Sequence, residues 1–140
     1  MAWRLGLLLF ILVVCGCGGP SFDVAPVSGR VTFDGAPLPD AQITFQPIAA
    51  SRNNINPGSG SYATTDADGR FTLGLVTPDR PGAVVGKHRV SITSAKAEDP
   101  NSDSGAMGEE KIPARYRDGS LIFNVPPEGS DQADFEITMR

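Results

Sequence analysis

The run Ala63-Thr64-Thr65-Asp66-Ala67-Asp68-Gly69-Arg70-Phe71-Thr72-Leu73 decides how this chain is read. Short polar residues lead into an Asp-x-Asp-Gly turn, and Phe71 and Leu73 alternate with polar residues on the way out. Glycine suits a turn position with positive φ, and aspartate side chains hydrogen-bond nearby backbone N–H groups, so the run predicts a β-hairpin.

Outward from this hairpin the same period of two recurs. Val27, Val31 and Phe33 share one face of a predicted strand whose other face carries Ser28, Arg30 and Thr32. Asp34 to Asp40 is a turn by composition. A second strand, 41–46, puts Ile43 and Phe45 together and ends at Pro47. Residues 49–61 have no periodicity and read as an exposed loop. Lys87 to Thr93 is a strand with His88, Val90 and Ile92 on one face. Lys96 to Gly108 is polar and rich in Gly and Ser, hence mobile by composition. Ile112 and Tyr116 anchor the returning chain. Segments 121–125 and 133–138 form a pair around the turn Pro126-Pro127-Glu128-Gly129-Ser130. This makes seven strands and no helix after residue 17, an all-β, β-sandwich domain over residues 27–140. The expected core is Val31, Phe33, Ile43, Phe45, Phe71, Leu73, Val90, Ile92, Phe123, Phe135 and Ile137.

Composition agrees. At 140 residues the chain has room for one ordinary domain, and 16 Gly and 12 Pro among 40% hydrophobic residues favour short strands over long helices. The net charge is −4, and loss of a leader whose one charged residue is Arg4 leaves −5. An acidic chain without a basic cluster argues against nucleic acid as a partner. Both cysteines, Cys15 and Cys17, precede the domain, so no disulfide staples it, and one histidine without body cysteines argues against a zinc site. No cofactor is expected.

Arg4, an apolar run from Leu5 to Val14 and then Cys15-Gly16-Cys17-Gly18-Gly19 describe a secretory signal peptide over residues 1–16. As a helix the run would extend about 15 Å, half of a hydrocarbon core about 30 Å thick. A small residue before a cysteine resembles the lipobox of bacterial lipoproteins, in which the cysteine is diacylated and becomes the mature N-terminus. Cys17 fits best, with Cys15 as the alternative, and residues 17–26 are then a lipid-anchored Gly/Pro-rich tether. Two acyl chains anchor stably. The protein is therefore expected to be exported and lipid-anchored to the cell membrane or outer membrane.

Taken in order, Val27–Thr32, Asp34–Leu38, Ala41–Phe45, Thr65–Phe71, Pro81-Gly82 with Gly86–Val90, Ile112–Tyr116 and Phe135–Ile137 resemble the carboxypeptidase regulatory-like domains. More narrowly, the chain looks like the short lipoproteins of this kind from planctomycete bacteria. The resemblance implies an immunoglobulin-like, transthyretin-like β-sandwich in the cell envelope, without catalytic residues and serving as a binding or accessory module. His88 stands where such domains carry Tyr or Phe.

Other groupings are weighed against plainer roles. With Gly69 aligned on the glycine of an EF-hand loop, Leu75 falls at the twelfth position, where a bidentate acid is required, so that motif fails. A looser calcium site with Asp40 or Asp79 competes with an ordinary turn. His88 as a base needs a nucleophile and an orienting carboxylate; the plainer role is a partly buried ring. Tyr116-Arg117-Asp118-Gly119-Ser120 superficially resembles the terminal signature of the transthyretin-related hydroxyisourate hydrolases, but Asp118 interrupts it and their further histidines are missing. Lys87, Arg89, Arg115, Tyr116 and Arg117 are the candidate ligand contacts, for an envelope polysaccharide, a peptide or a surface protein. A structural spacer without a ligand is the alternative, and a small hydrolase using His88 a further one.

Overall fold

A computed structural model describes residues 22–53, 56–94 and 110–140. The signal peptide, Cys17 and the 96–108 loop lie outside these residues. The described chain is all-β, with one short helix, and its strands stack in mainly antiparallel sheets around an apolar interior, as a sandwich does.

In chain order the strands are β1 (Val24–Ala25), β2 (Ser28–Phe33), β3 (Ala36–Pro37), β4 (Gln42–Pro47), β5 (Ser61–Thr64), β6 (Arg70–Thr72), β7 (Gly74–Leu75), β8 (Arg80–Pro81), β9 (Ala83–Val84), β10 (Gly86–Thr93), β11 (Leu121–Val125) and β12 (Phe135–Ile137). The helix α1 (Ala114–Arg117) precedes β11. One sheet runs β11-β10-β4-β5-β7-β8, a second runs β12-β2-β3 with β6 also on β2, and β1 pairs with β9. Alternation sets which side faces in: on β4 Ile43, Phe45 and Pro47 are buried, and on β10 His88, Val90 and Ile92 are. Val31, Phe71, Leu73 and Ile137 meet them in one buried cluster, with Phe33, Phe123 and Phe135 packed half-buried against it.

The central run makes a corner where the sequence suggests a plain hairpin. Its first arm, β5, pairs with β4, and its second arm, β6, crosses to the other sheet and pairs with β2. Only beyond the corner do the arms meet, through Ser61 with Leu75 and Tyr62 with Gly74. The turn itself is tightly made. Asp66 Oδ1 accepts the N–H groups of Asp68 and Arg70, each at 2.9 Å, and the Gly69 N–H donates to the Asp66 carbonyl. Gly69 has φ +72°, and a Cβ there would lie 2.4 Å from the Val31 carbonyl oxygen, so the close seat of the turn on β2 needs glycine. Thr65 ties the corner to its neighbour: its hydroxyl donates to the Leu38 carbonyl at 2.6 Å and accepts the Ala41 N–H at 2.9 Å.

Four further expectations change. Segments 121–125 and 133–138 do not pair with each other: β11 lies on β10, and β12 runs parallel to β2 in the other sheet. The four residues of α1 are helical where no helix is expected; the turn seats Tyr116 against the core cluster. Residues 22–26, assigned above to the tether, belong to the domain, because Val24 and Ala25 pair with β9 and Ala25 is buried. Part of the 49–61 loop is packed, since Gly58 sits against Phe22 and Val84 and the Val76 N–H donates to the Gly60 carbonyl.

Candidate functional site

The five residues expected to contact a ligand come from two elements, Lys87 and Arg89 from β10 and Arg115, Tyr116 and Arg117 from α1, which packs against β10. Lys87 and Arg89 are exposed on the outward side of β10, with Arg89 between Gln46 and Ile122 and beside Gly119. Arg115 and Tyr116 are occupied in holding the C-terminal strand. The Arg115 guanidinium donates to the carbonyls of Thr138 and Arg140 and lies 4.9 Å over the Tyr116 ring. The Tyr116 hydroxyl accepts the Thr138 N–H at 3.2 Å and lies 3.3 Å from the Thr138 hydroxyl. The Thr138 hydroxyl, its N–H and Arg115 together lower the phenol to about 8. Arg117 donates to the Ile112 carbonyl at 2.9 Å. Nearby, Glu110 accepts the Ser94 hydroxyl at 2.7 Å and the Ile112 N–H at 2.9 Å, clipping the chain on either side of residues 95–109.

His88 lies wholly inside. Its ring packs 5.6 Å from that of Phe45, Nδ1 is 3.0 Å from the Gly86 carbonyl, and Nε2 is buried without a partner. A neutral imidazole that donates from Nδ1 satisfies this geometry. Burial lowers its pKa, and the bond to Gly86 opposes that only in part. Ser61 Oγ is likewise buried and unpartnered, but β4 separates β5 from β10, so hydroxyl and imidazole do not form a pair.

The ring has a consequence for pH. In the unfolded chain His88 binds a proton more readily than in the fold, so its contribution to stability is fully present above about 6.5 and is lost as pH falls from there toward the lower folded value. The melting temperature is expected to drop between about pH 7 and about pH 5, and His88→Phe to flatten that step. Glu110 and Asp118, both with lowered carboxyl pKa, act at more acid pH and leave the window clear. Parallel profiles for the two proteins would contradict this assignment.

The acidic turn is used internally, since Asp66 Oδ1 already takes two backbone N–H groups. Among the described residues no group of three or more His, Cys, Asp or Glu is arranged to hold a metal ion.

A polar hollow lies on the outer side of β2 and β6, with a volume of about 390 Å³. Register places Ser28 opposite Thr72 and Arg30 opposite Arg70, and the segment before β12 contributes Asp131 and Asp134. Asp134 Oδ1 accepts the Arg30 N–H at 3.0 Å, and the Arg30 Nε donates to the Asp68 carbonyl at 2.9 Å. Two arginines directly opposite each other on neighbouring strands repel, and two carboxylates share the lining of the hollow with them. Such an arrangement suits a polar ligand: guanidinium forks pair with carboxylate or phosphate, and aspartate accepts from ammonium or hydroxyl groups. The sequence reading missed it because its residues come from three separate segments, and Arg30 alone reads as one charge on a solvated face.

Comparison with protein-family models, with curated proteins and with solved structures gives no match to this chain.

Proposed function

We propose that this protein is a membrane-anchored lipoprotein whose immunoglobulin-like, transthyretin-like sandwich, of the carboxypeptidase regulatory-like kind, acts as a non-catalytic binding module of the cell envelope. The signal-like run ending at Cys17 supports export and anchoring, and the order of motifs from Val27 to Ile137 supports the family. The observation that carries the binding role is the hollow whose lining includes Arg30, Arg70, Asp131 and Asp134. Its ligand is a charged, hydroxyl-bearing or peptide component of the envelope, bound by complementary charge. A hydrolase built on His88 is the weaker reading, because the ring is closed to solvent and its Nδ1 is engaged with Gly86.

The test is calorimetric titration of the mature protein, in detergent, with muropeptides and glycan fragments released from purified envelope. Arg70→Ala is expected to weaken binding about tenfold, roughly 1.4 kcal/mol, with the melting temperature unchanged, since Arg70 is exposed. No heat with any fragment would favour a spacer, and binding indifferent to Arg70 and Asp134 would move the site elsewhere.

A further inference from the structure

We infer that the sandwich end bearing Phe22, Ile48, Val76 and Pro78 is seated on the lipid bilayer that holds the anchor. This rests on the reading of Cys17 as the acylated residue. Four residues, Gly18 to Ser21, separate Cys17 from Phe22, and the five Cα–Cα steps between them reach about 17 Å when fully extended. Phe22 is thereby held close to the headgroups whatever path the linker takes.

The end of the domain at Phe22 is the one built to meet lipid. Two hollows open there, about 250 and 720 Å³, and share Phe22 and Val84 in their linings. Leu75 and Pro78 line the first, and Ile48, Ala49 and Pro57 the second. Val76 beside them, the first residue after β7, is a large apolar side chain that is 56% exposed. Five strands of the larger sheet share this end: β4, β7 and β11 end here, and β5 and β10 begin here. The hollows thus form the foot of the sandwich.

The experiment uses the full chain, processed and purified from membranes and reconstituted into vesicles of phosphatidylethanolamine and phosphatidylglycerol. A polarity-sensitive dye is attached at Val76→Cys or, as the far-end control, at Asp68→Cys. A blue shift and quenching by a bilayer-embedded quencher are expected at position 76 and neither at position 68. Solvent-like emission at both positions, in protein that floats with the vesicles, overturns the seat and leaves the anchor intact. A blue shift at position 76 that needs no vesicles and grows with protein concentration also overturns it, because a second copy then covers the face. The anchor is judged separately by intact mass. If no acyl groups are found, the chain is coupled through the Cys17 thiol to a maleimide lipid, and the same readings decide.

Discussion

Phe45→Ala is expected to cost about 3–5 kcal/mol, a large share of a stability of about 5–15 kcal/mol, and to destabilise the domain severely. Phe45 is fully buried in the middle of the larger sheet, between Ser61 on β5 and Val90 on β10. Its ring is the hub of an aromatic cluster, with centroids at 5.6 Å from His88, 5.5 Å from Phe123 and 6.1 Å from Phe135. Phe135 belongs to the other sheet, so the ring also couples the two layers. Close-packed surroundings relax only partly around a deleted ring, which adds a cavity cost to the lost transfer energy. Tyr62→Ala, at a side chain 51% exposed on the outer face, is the control and should stay within about 0.5 kcal/mol. Urea unfolding of both variants checks the assignment, and similar midpoints would show that Phe45 does not hold the layers together.

Alternation made this core legible. Alternating positions such as Ile43 and Phe45, or His88, Val90 and Ile92, are buried on one face, and Phe33, Phe123 and Phe135 pack half-buried against them. Small residues carry no such signal. Ala41, Ala63, Ala83 and Ala133 are all buried, yet nothing in their own side chains distinguishes them from surface alanines. Pairing was harder to read than burial. Period two says which way a side chain points but is silent about which strand lies alongside, and a hairpin-like turn serves equally well as a corner between sheets. The Asp66–Gly69 turn became a corner because Gly69 lets it sit directly on Val31, so the chain leaving it meets β2 before it can meet β5.

The candidate site was less legible for a related reason. Arginines close together in sequence invited a basic patch, but Arg115 is taken up by carbonyl groups of the C-terminal segment and Arg117 by that of Ile112. The arginines that do meet, Arg30 and Arg70, are forty residues apart in sequence and are joined only by the register of β2 and β6. Their carboxylate counterparts come from a segment whose position depends on a parallel pairing, that of β12 with β2, which no turn motif announces.

Gly29→Ala is the substitution that should disturb fold and hollow together. Gly29 lies in β2, and the chain before β12 passes directly over it. A Cβ at this position would lie 2.0 Å from the Ala133 carbonyl oxygen and 2.4 Å from its carbon, both backbone atoms that cannot swing aside as a side chain could. The passing chain is held by the Ser28 N–H on the Ser130 carbonyl, the Ala133 N–H on the Ser28 carbonyl, and the Arg30 N–H on Asp134 Oδ1. Alanine must push this segment outward, lose the last two bonds and draw the buried Ala133 from the core. Overpacking and the broken bonds together cost about 3–5 kcal/mol. Gly74→Ala is the matched control, because a Cβ there finds its nearest neighbour at an unstrained 3.8 Å. Thermal melts should separate the two variants widely, and amide exchange at Ala133 should quicken in the first alone. Ligand binding should fail with it, because Asp134 moves away from Arg30 when the segment lifts. Equal melting temperatures for the two variants would mean that the close approach over Gly29 does not exist in solution.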